Sequence, residues 1–264
     1  MNMFIRELKT SVKSLLIWSL IILILCATGF AKFAAYQDAP ELLEVLDNMP
    51  PAMLEAFQMN AFNLTELSGF FGVLYNYFAL MFAISAAMWG SDIITKEERD
   101  KTVEFSLTLP VSRREVVTAK TAASVVKCIA FALITWVIVY ITTAQYSPDA
   151  AYYEFVAMSM LSLFILQMVF LSVGILLACI MKQHKRVSSV AISIILGTYF
   201  LSILSGLSED VEFLEYFTPF KYFNAALILN EARFETTFVL LSLAIIVVSM
   251  VGAFMTYERR DLYI

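Results

Sequence analysis

The chain has 264 residues, of which 60% are hydrophobic and only 16% are charged, and its mean hydropathy is +0.78. Soluble domains are about half apolar and a quarter charged, so this composition excludes a water-soluble fold and indicates a membrane protein. The net charge of −5 argues against a nucleic-acid partner, and a single histidine, His184, argues against a histidine-based catalytic or metal site.

Six segments are long and apolar enough to cross a bilayer as helices, which takes about 20 residues each. Lipid offers no partner to backbone N–H and C=O groups, and a helix satisfies them within one segment. We therefore predict an all-α integral membrane protein that forms a single domain over residues 1–264. The six predicted spans are residues 15–35, 69–90, 125–146, 157–181, 187–207 and 238–257.

Residues 1–14 place apolar and basic side chains on opposite sides of a helix. Phe4 and Leu8 share one side, and Arg6 and Lys9 lie opposite. This pattern predicts an N-terminal interfacial helix on the inner membrane surface, with a frayed basic leader as the alternative. A cleaved signal peptide is disfavoured, because the first apolar run is longer than a signal core and its removal would leave an odd number of spans.

The distribution of basic residues predicts the orientation. With the N-terminus inside, 15 of the 18 Lys and Arg residues lie in inner segments, and the first outer loop, residues 37–68, has acids but no base. The positive-inside rule then places both termini in the cytoplasm. Within that outer loop we expect two short amphipathic helices around Pro50-Pro51, with a packing role favoured over ligand binding.

Two polar residues within the spans are candidates for the transport path. Asn76 lies in the second span and Gln167 lies near the middle of the fourth. Polar side chains in spans usually face protein or water rather than lipid, and hydrogen bonding between helices is the alternative role. The spans carry no charged residue at mid-depth, which disfavours an ion-coupled carrier and favours an amphiphilic or apolar cargo.

The inner loop between spans 2 and 3 carries the signals of a short helix. Thr102 is a suitable N-cap for a helix that ends at Leu109, and Glu104 lies in the first turn, where the helix dipole favours an acid. Pro110 ends this helix. Residues 112–115, SRRE, then match a capping box for the helix that leads into span 3. A short helix held between sharp breaks is suited to binding a partner.

Residues 208–235, between spans 5 and 6, contain two apolar pieces, 211–217 and 220–229, that are separated by Thr218-Pro219. Each piece is at most about half as long as a span. We predict a short helical pair that dips into the outer leaflet and returns, and two helices lying flat on the surface are the alternative. The residues predicted to form an outer gate are Pro219, Phe220 and Tyr222.

Residues 96–113, KEERDKTVEFSLTLPVSR, followed by Lys120, resemble the inner loop of the type-2 ABC export permeases. That family has an acid and a base, Gly-Thr, an aliphatic residue, Glu, a leucine-rich turn and Pro-Val-Ser-Arg at this place. Residues 218–223, TPFKYF, resemble the family's Ser-Pro-Phe-Lys-Tyr segment, and residues 4–9 resemble its N-terminal start. The resemblance covers essentially the whole chain, although Lys101 replaces the usual Gly.

This resemblance implies the membrane-spanning permease subunit of an ATP-driven exporter in the bacterial cytoplasmic membrane. It also implies a second permease subunit, identical or related, and two copies of an ABC ATPase subunit that grips the short inner helix as a coupling helix. The chain has no Walker phosphate loop, so we expect ATP and Mg on the partner chain and no cofactor or enzymatic activity here. The residues implied in coupling are Thr102, Glu104, Phe105, Leu109, Pro110, Ser112 and Arg113.

A stand-alone channel or membrane sensor without an ATPase partner is the alternative function. A membrane-embedded protease is disfavoured, because the sequence lacks clustered histidines and a Gly-x-Ser-Gly motif. Glu97-Glu98 resembles the paired glutamates of prenyl-processing proteases, but Thr102 stands where those enzymes need Arg. An ATPase that purifies with the chain would distinguish a permease from a channel.

Overall fold

The computed structural model describes residues 3–37, 48–50, 53–54, 62–99, 112–207 and 209–259. The described part of the chain contains long helices and short helical turns but no strand. The principal helices are α1 (Met3–Gln37), α2 (Leu67–Arg99), α3 (Arg113–Thr143), α4 (Ala150–Ile180), α5 (Val187–Ser205), α6 (Ala225–Glu231) and α7 (Thr236–Arg259).

Six of these helices, α1 to α5 and α7, are long and apolar enough to cross a membrane. Each one covers a predicted span apart from at most three residues at an end, and most continue beyond it. The prediction of an all-α protein with six spans is therefore confirmed. The two short amphipathic helices predicted for the first outer loop lie largely outside the described residues.

The N-terminal segment differs from its prediction, because it is not a separate interfacial helix. α1 runs without a break from Met3 to Gln37, so residues 3–14 are the first turns of the spanning helix. The sequence has neither Pro nor Gly before Gly29 that would break this helix. At 1.5 Å per residue, α1 is about 50 Å long, so its ends extend beyond a hydrocarbon layer of about 30 Å.

α2 and α4 form the centre of the bundle. They make the most extensive contact between any two described helices, α1 packs mainly against α3, and α7 packs mainly against α4. Early residues of α2 meet early residues of α4, since the Phe71 and Phe155 rings lie 5.4 Å apart. Tyr75 and Ser162, further along both helices, share a hydrogen bond of 2.8 Å. The two central helices are therefore parallel.

Two glycines bring the backbones of α2 and α4 into contact. A Cβ atom at Gly174 would lie 2.7 Å from the carbonyl oxygen of Ala87, and one at Gly90 would collide with the carbonyl oxygen of Leu171. Real Cβ atoms do not approach backbone so closely. Small residues allow this close packing between helices in lipid, where burial of apolar surface cannot drive association.

The helix ends that carry the basic residues meet at one end of the bundle, which we call the basic end. The beginnings of α1 and α3 and the last turns of α2 and α7 are joined there by ion pairs. Ser91 of α2 and Ser188 at the start of α5 share a hydrogen bond of 3.0 Å at the same end. The charge asymmetry of the sequence thus becomes an asymmetry between the two ends of the structure.

Candidate functional site

The loop predicted to couple to a partner joins α2 to α3 at the basic end. Thr102, Glu104, Phe105, Leu109 and Pro110 lie outside the described residues, so the predicted coupling helix is not tested. The described part of the chain resumes at Ser112, immediately before α3.

The capping box predicted at residues 112–115 is confirmed. The backbone N–H of Glu115 donates to the Ser112 hydroxyl oxygen at 3.2 Å. In return, the Ser112 N–H donates to the Glu115 carboxylate at 2.7 Å. These two bonds satisfy backbone donors that a helix otherwise leaves free at its N-terminus. The point at which the loop enters α3 is therefore fixed by local contacts.

Arg113 and Arg114 join the start of α3 to the end of α7. Arg113 donates to the carbonyl oxygens of Tyr257 and Glu258 at 3.3 and 3.2 Å. Arg114 forms a two-pronged ion pair with the Glu258 carboxylate. The carbonyls at a helix C-terminus carry partial negative charge and favour a cation. Arg113, predicted to contact an ATPase, thus has partners within its own chain, and we call this contact the arginine tie.

A buried ion network joins α1, α2 and α3 at the same end. Glu7 and Lys120 are fully buried, and Glu97 is 7% exposed. One Glu97 oxygen lies 2.9 Å from Arg6, and the other lies 3.0 Å from the Lys120 ammonium. Lys96 pairs with Glu7. Removing one partner from such a buried set leaves an uncompensated charge, which costs about 3–5 kcal/mol.

A cavity of about 570 Å³ lies beside this network, between α1, α2 and α3. Trp89 and Lys127 line it, and the Lys127 ammonium lies 4.1 Å from the centre of the Trp89 ring. The Trp89 indole N–H donates to the Ser14 hydroxyl at 2.9 Å. This cation–π contact fixes the Lys127 side chain against the Trp89 ring in the lining of the cavity.

The two predicted transport-path residues differ in their surroundings. Gln167 is fully buried, and among the described residues neither its amide nitrogen nor its oxygen has a hydrogen-bond partner. Asn76 is half-buried and donates to the Gly72 carbonyl of its own helix at 3.3 Å. Its neighbour Tyr75 bonds to Ser162, which lies five residues, or about 7 Å along α4, from Gln167. The two residues therefore lie at different depths in the bundle.

An unpaired amide is costly at a buried position. A buried polar group without a partner costs about 1–3 kcal/mol. Gln167 lies one turn before Leu171 and two turns before Gly174, on the face of α4 that meets α2. Its position at the central contact of the bundle makes it the stronger of the two candidates for contact with a cargo.

The connection between α5 and α7 breaks where the sequence predicts. A 3₁₀ helix covers Glu209–Phe217, Thr218 is extended, and a single 3₁₀ turn covers Pro219–Lys221. The α-helix of this connection, α6, begins only at Ala225. Asn224 caps it, because its side-chain oxygen accepts hydrogen bonds from the N–H groups of Ala226 and Leu227. The predicted second piece, 220–229, is thus a turn followed by α6 rather than one helix.

Two of the predicted gate residues, Pro219 and Phe220, pack among the spanning helices. The Phe220 ring lies 5.3 Å from the rings of both Phe170 and Tyr199. Phe170 is ten residues from the basic end of α4 and Tyr199 is twelve from that of α5, or about 15 and 18 Å. Pro219 is buried beside them. We call residues 218–223 the re-entrant segment, and its depth favours the dipping arrangement over two flat surface helices.

Tyr222 fixes the re-entrant segment to the last spanning helix. Its ring stacks on Phe238 of α7 at 5.1 Å with an angle of 12° between the planes. Its hydroxyl donates to the Tyr216 carbonyl at 2.6 Å. On the other side of the break, the Thr218 hydroxyl donates to the Thr198 carbonyl of α5 at 2.8 Å. The segment is therefore held by both α5 and α7.

Comparison with known proteins identifies the family. Residues 1–262 match the family model for the ABC-2 family transporter proteins. The chain belongs to the ABC-2 transporter family. This ABC-2 protein is therefore a multi-pass membrane permease of an ABC transporter. A search of curated proteins finds no match.

Sequence reasoning missed the ion network and the cavity of this ABC-2 permease. In the sequence, Glu7, Glu97 and Lys120 stood out only as parts of motif matches. Their partners lie up to 91 residues away, so no local pattern reveals the pairing. The available signal was the presence of acids, Glu7 and Glu97, inside otherwise basic segments.

Proposed function

We propose that this ABC-2 permease is the membrane-spanning subunit of an ATP-driven exporter and couples to a separate ATPase chain through the loop between α2 and α3. The observation that carries the proposal is the anchoring of this loop on both sides. Before the loop, Lys96 and Glu97 hold the last turns of α2 in the buried network. After it, Ser112 and the arginine tie hold α3.

The anchoring supports a coupling role because a fixed loop transmits force. If residues 102–109 form the coupling helix, a movement imposed on that helix passes into α3 and, through the arginine tie, into α7. α7 also carries Phe238, on which Tyr222 stacks. The proposed coupling element and the proposed outer gate of Pro219, Phe220 and Tyr222 are thus connected by a chain of direct contacts.

The basic end is the cytoplasmic end in this proposal. The excess of Lys and Arg there satisfies the positive-inside rule and places both termini with the ATPase. By analogy with the family, two permease subunits, identical or related, assemble with two ATPase subunits that hold ATP and Mg, in the bacterial cytoplasmic membrane. The bundle centre is uncharged and has Gln167 among its buried polar groups, which suits an amphiphilic or apolar cargo.

A charge reversal in the proposed coupling helix tests this function. The tagged permease, purified from its native membrane in a mild detergent, should carry an ATP-hydrolysing chain. Glu104→Lys should remove most of that ATPase from the preparation, because it places a cation in the first turn of the gripped helix. Co-purified protein and ATP hydrolysis per permease are the measurements.

Glu231→Lys is the matched control, since Glu231 is an exposed glutamate on α6, away from the basic end. It should leave the bound ATPase unchanged. A Glu104→Lys permease that retains the ATPase and its activity would show that this loop is not the coupling element. A wild-type permease that carries no ATPase would favour the stand-alone channel or sensor.

A further inference from the structure

The cavity at the basic end has an excess of positive charge. Its acidic lining residues are all engaged by basic ones: Glu7 pairs with Lys96, Asp92 with Arg99 and Glu97 with Arg6. Lys120, directly behind the cavity, adds a second cation to Glu97. The hydroxyls of Thr10, Ser11 and Ser14 line one side. The cavity is therefore polar, with more cations than anions.

Lys127 is the cation that gives the cavity lining its excess positive charge. It is 8% exposed, and among the described residues no carboxylate pairs with it. Its described contact is with the face of Trp89, which attracts a cation but does not neutralise it. A buried charge is normally paired, so the cavity beside Lys127 is suited to a negatively charged group.

We infer that this cavity binds the phosphate group of an anionic amphiphile, with Lys127 as the cation that anchors it. A phosphate supplies the missing negative charge, and it accepts hydrogen bonds from an ammonium group and from hydroxyls. The inference concerns a binding site on the permease alone and does not depend on the ATPase or on the coupling loop.

The surroundings suit a molecule with an apolar part. Lys127 lies two residues inside the predicted third span, near the membrane interface. α1 and α3, which form two walls of the cavity, both expose apolar stripes beyond it. These stripes consist of Leu16, Leu20 and Ile24 on α1 and Val126, Ile129 and Leu133 on α3. A lipid could thus place its phosphate in the cavity and its chains against α1 or α3.

Trp89 provides the probe, because the Lys127 ammonium rests on its ring. Trp18→Phe and Trp136→Phe leave Trp89 as the single tryptophan of the full chain. The purified protein in detergent is titrated with a short-chain phosphatidylglycerol, a short-chain phosphatidylcholine and glycerol 3-phosphate. We expect the Trp89 fluorescence to respond to phosphatidylglycerol at a concentration at least about tenfold lower than to the zwitterionic lipid.

Lys127→Gln should weaken the phosphatidylglycerol response by about tenfold or more, and Lys127→Arg should retain most of it. Lys13→Gln is the control, since Lys13 is exposed on α1 and does not line the cavity, and it should have little effect. A response to phosphatidylglycerol but not to glycerol 3-phosphate identifies a lipid as the source, and a response to both identifies a general phosphate site.

Two results would overturn the inference. One is an equal response of the wild type to phosphatidylglycerol and phosphatidylcholine, or no response to any of the three probes. This comparison needs no charge variant and therefore holds even if Lys127→Gln does not fold. The other is a folded Lys127→Gln protein, with a thermal transition like that of the Lys13→Gln control, that binds phosphatidylglycerol as tightly as the wild type.

Discussion

Lys120 and Glu97 form an ion pair that is almost entirely buried. Lys120 is fully buried, and the carboxylate it meets is shared with Arg6. A buried charge contributes little net stability while it is paired, but it becomes strongly destabilising when its partner is removed. The network therefore acts less as a source of stability than as a requirement that α1, α2 and α3 keep one arrangement.

Lys120→Met should reduce the free energy of unfolding by about 3 kcal/mol, because it leaves Glu97 with only the partly exposed Arg6. Lys182→Met, which removes an exposed lysine at the same end, should cost less than about 0.5 kcal/mol. Thermal and denaturant unfolding in detergent measure both. The double variant with Glu97→Gln should cost less than the two single changes together; strict additivity would mean that the pair does not interact.

Residue-scale features were predictable from the sequence where they are local. Ser112 and Glu115 are three residues apart, and their mutual capping follows from that spacing alone. The contact between Glu7 and Lys96 spans 89 residues and depends on how α1 lies against α2, which no short pattern specifies. The same limit applies to Arg113, whose partners on α7 lie at the far end of the chain.

The helices were predicted well as elements and less well at their ends. Hydropathy locates the lipid-exposed length of each helix, but a helix continues until a residue stops it. α1 therefore includes the basic residues before its apolar run, and α2 extends through Arg99. In the re-entrant segment the helix starts later than predicted. The break at Thr218-Pro219 was predicted correctly, but α6 begins only at Ala225, after its cap Asn224.

The contact between α2 and α4 gives a prediction at this scale. Gly174→Ala should destabilise the protein by about 1–3 kcal/mol, because its Cβ would meet backbone of α2 that cannot rotate away. Gly197→Ala on α5 is the matched control, since its Cβ has no neighbour within 4 Å. That change should be neutral or stabilising by up to about 1 kcal/mol, as Ala is the better helix former. Equal unfolding temperatures for the two variants would contradict the close approach of α2 and α4.

At the scale of the whole molecule, the described helix ends that carry the basic residues gather at one end of the bundle, the basic end. The membrane orientation proposed from this asymmetry can be measured with two matched positions. Gln183 is exposed at the basic end, and Gln145 is exposed at the opposite end. Cys26, Cys128 and Cys179 are buried and should remain unreactive in the folded protein.

In intact cells, Gln145→Cys should react with an impermeant thiol reagent, and Gln183→Cys should react only after the membrane is opened. This result follows from the positive-inside rule, which places the basic end in the cytoplasm. Labelling of the wild type, which should be negligible, is the control for the native thiols. The reverse pattern would invert the proposed orientation and place the coupling loop on the wrong side for ATP.

The backbone contact between α2 and α4 also limits which parts of the permease can move. The backbones of these two helices touch at Gly90 and Gly174, and such a contact hinders sliding, so we expect α2 and α4 to move as one unit. At the basic end the ion network ties α1 and α3 to α2 through Glu97, so we expect these three helices to shift together there, and α7 to follow α3 through the arginine tie.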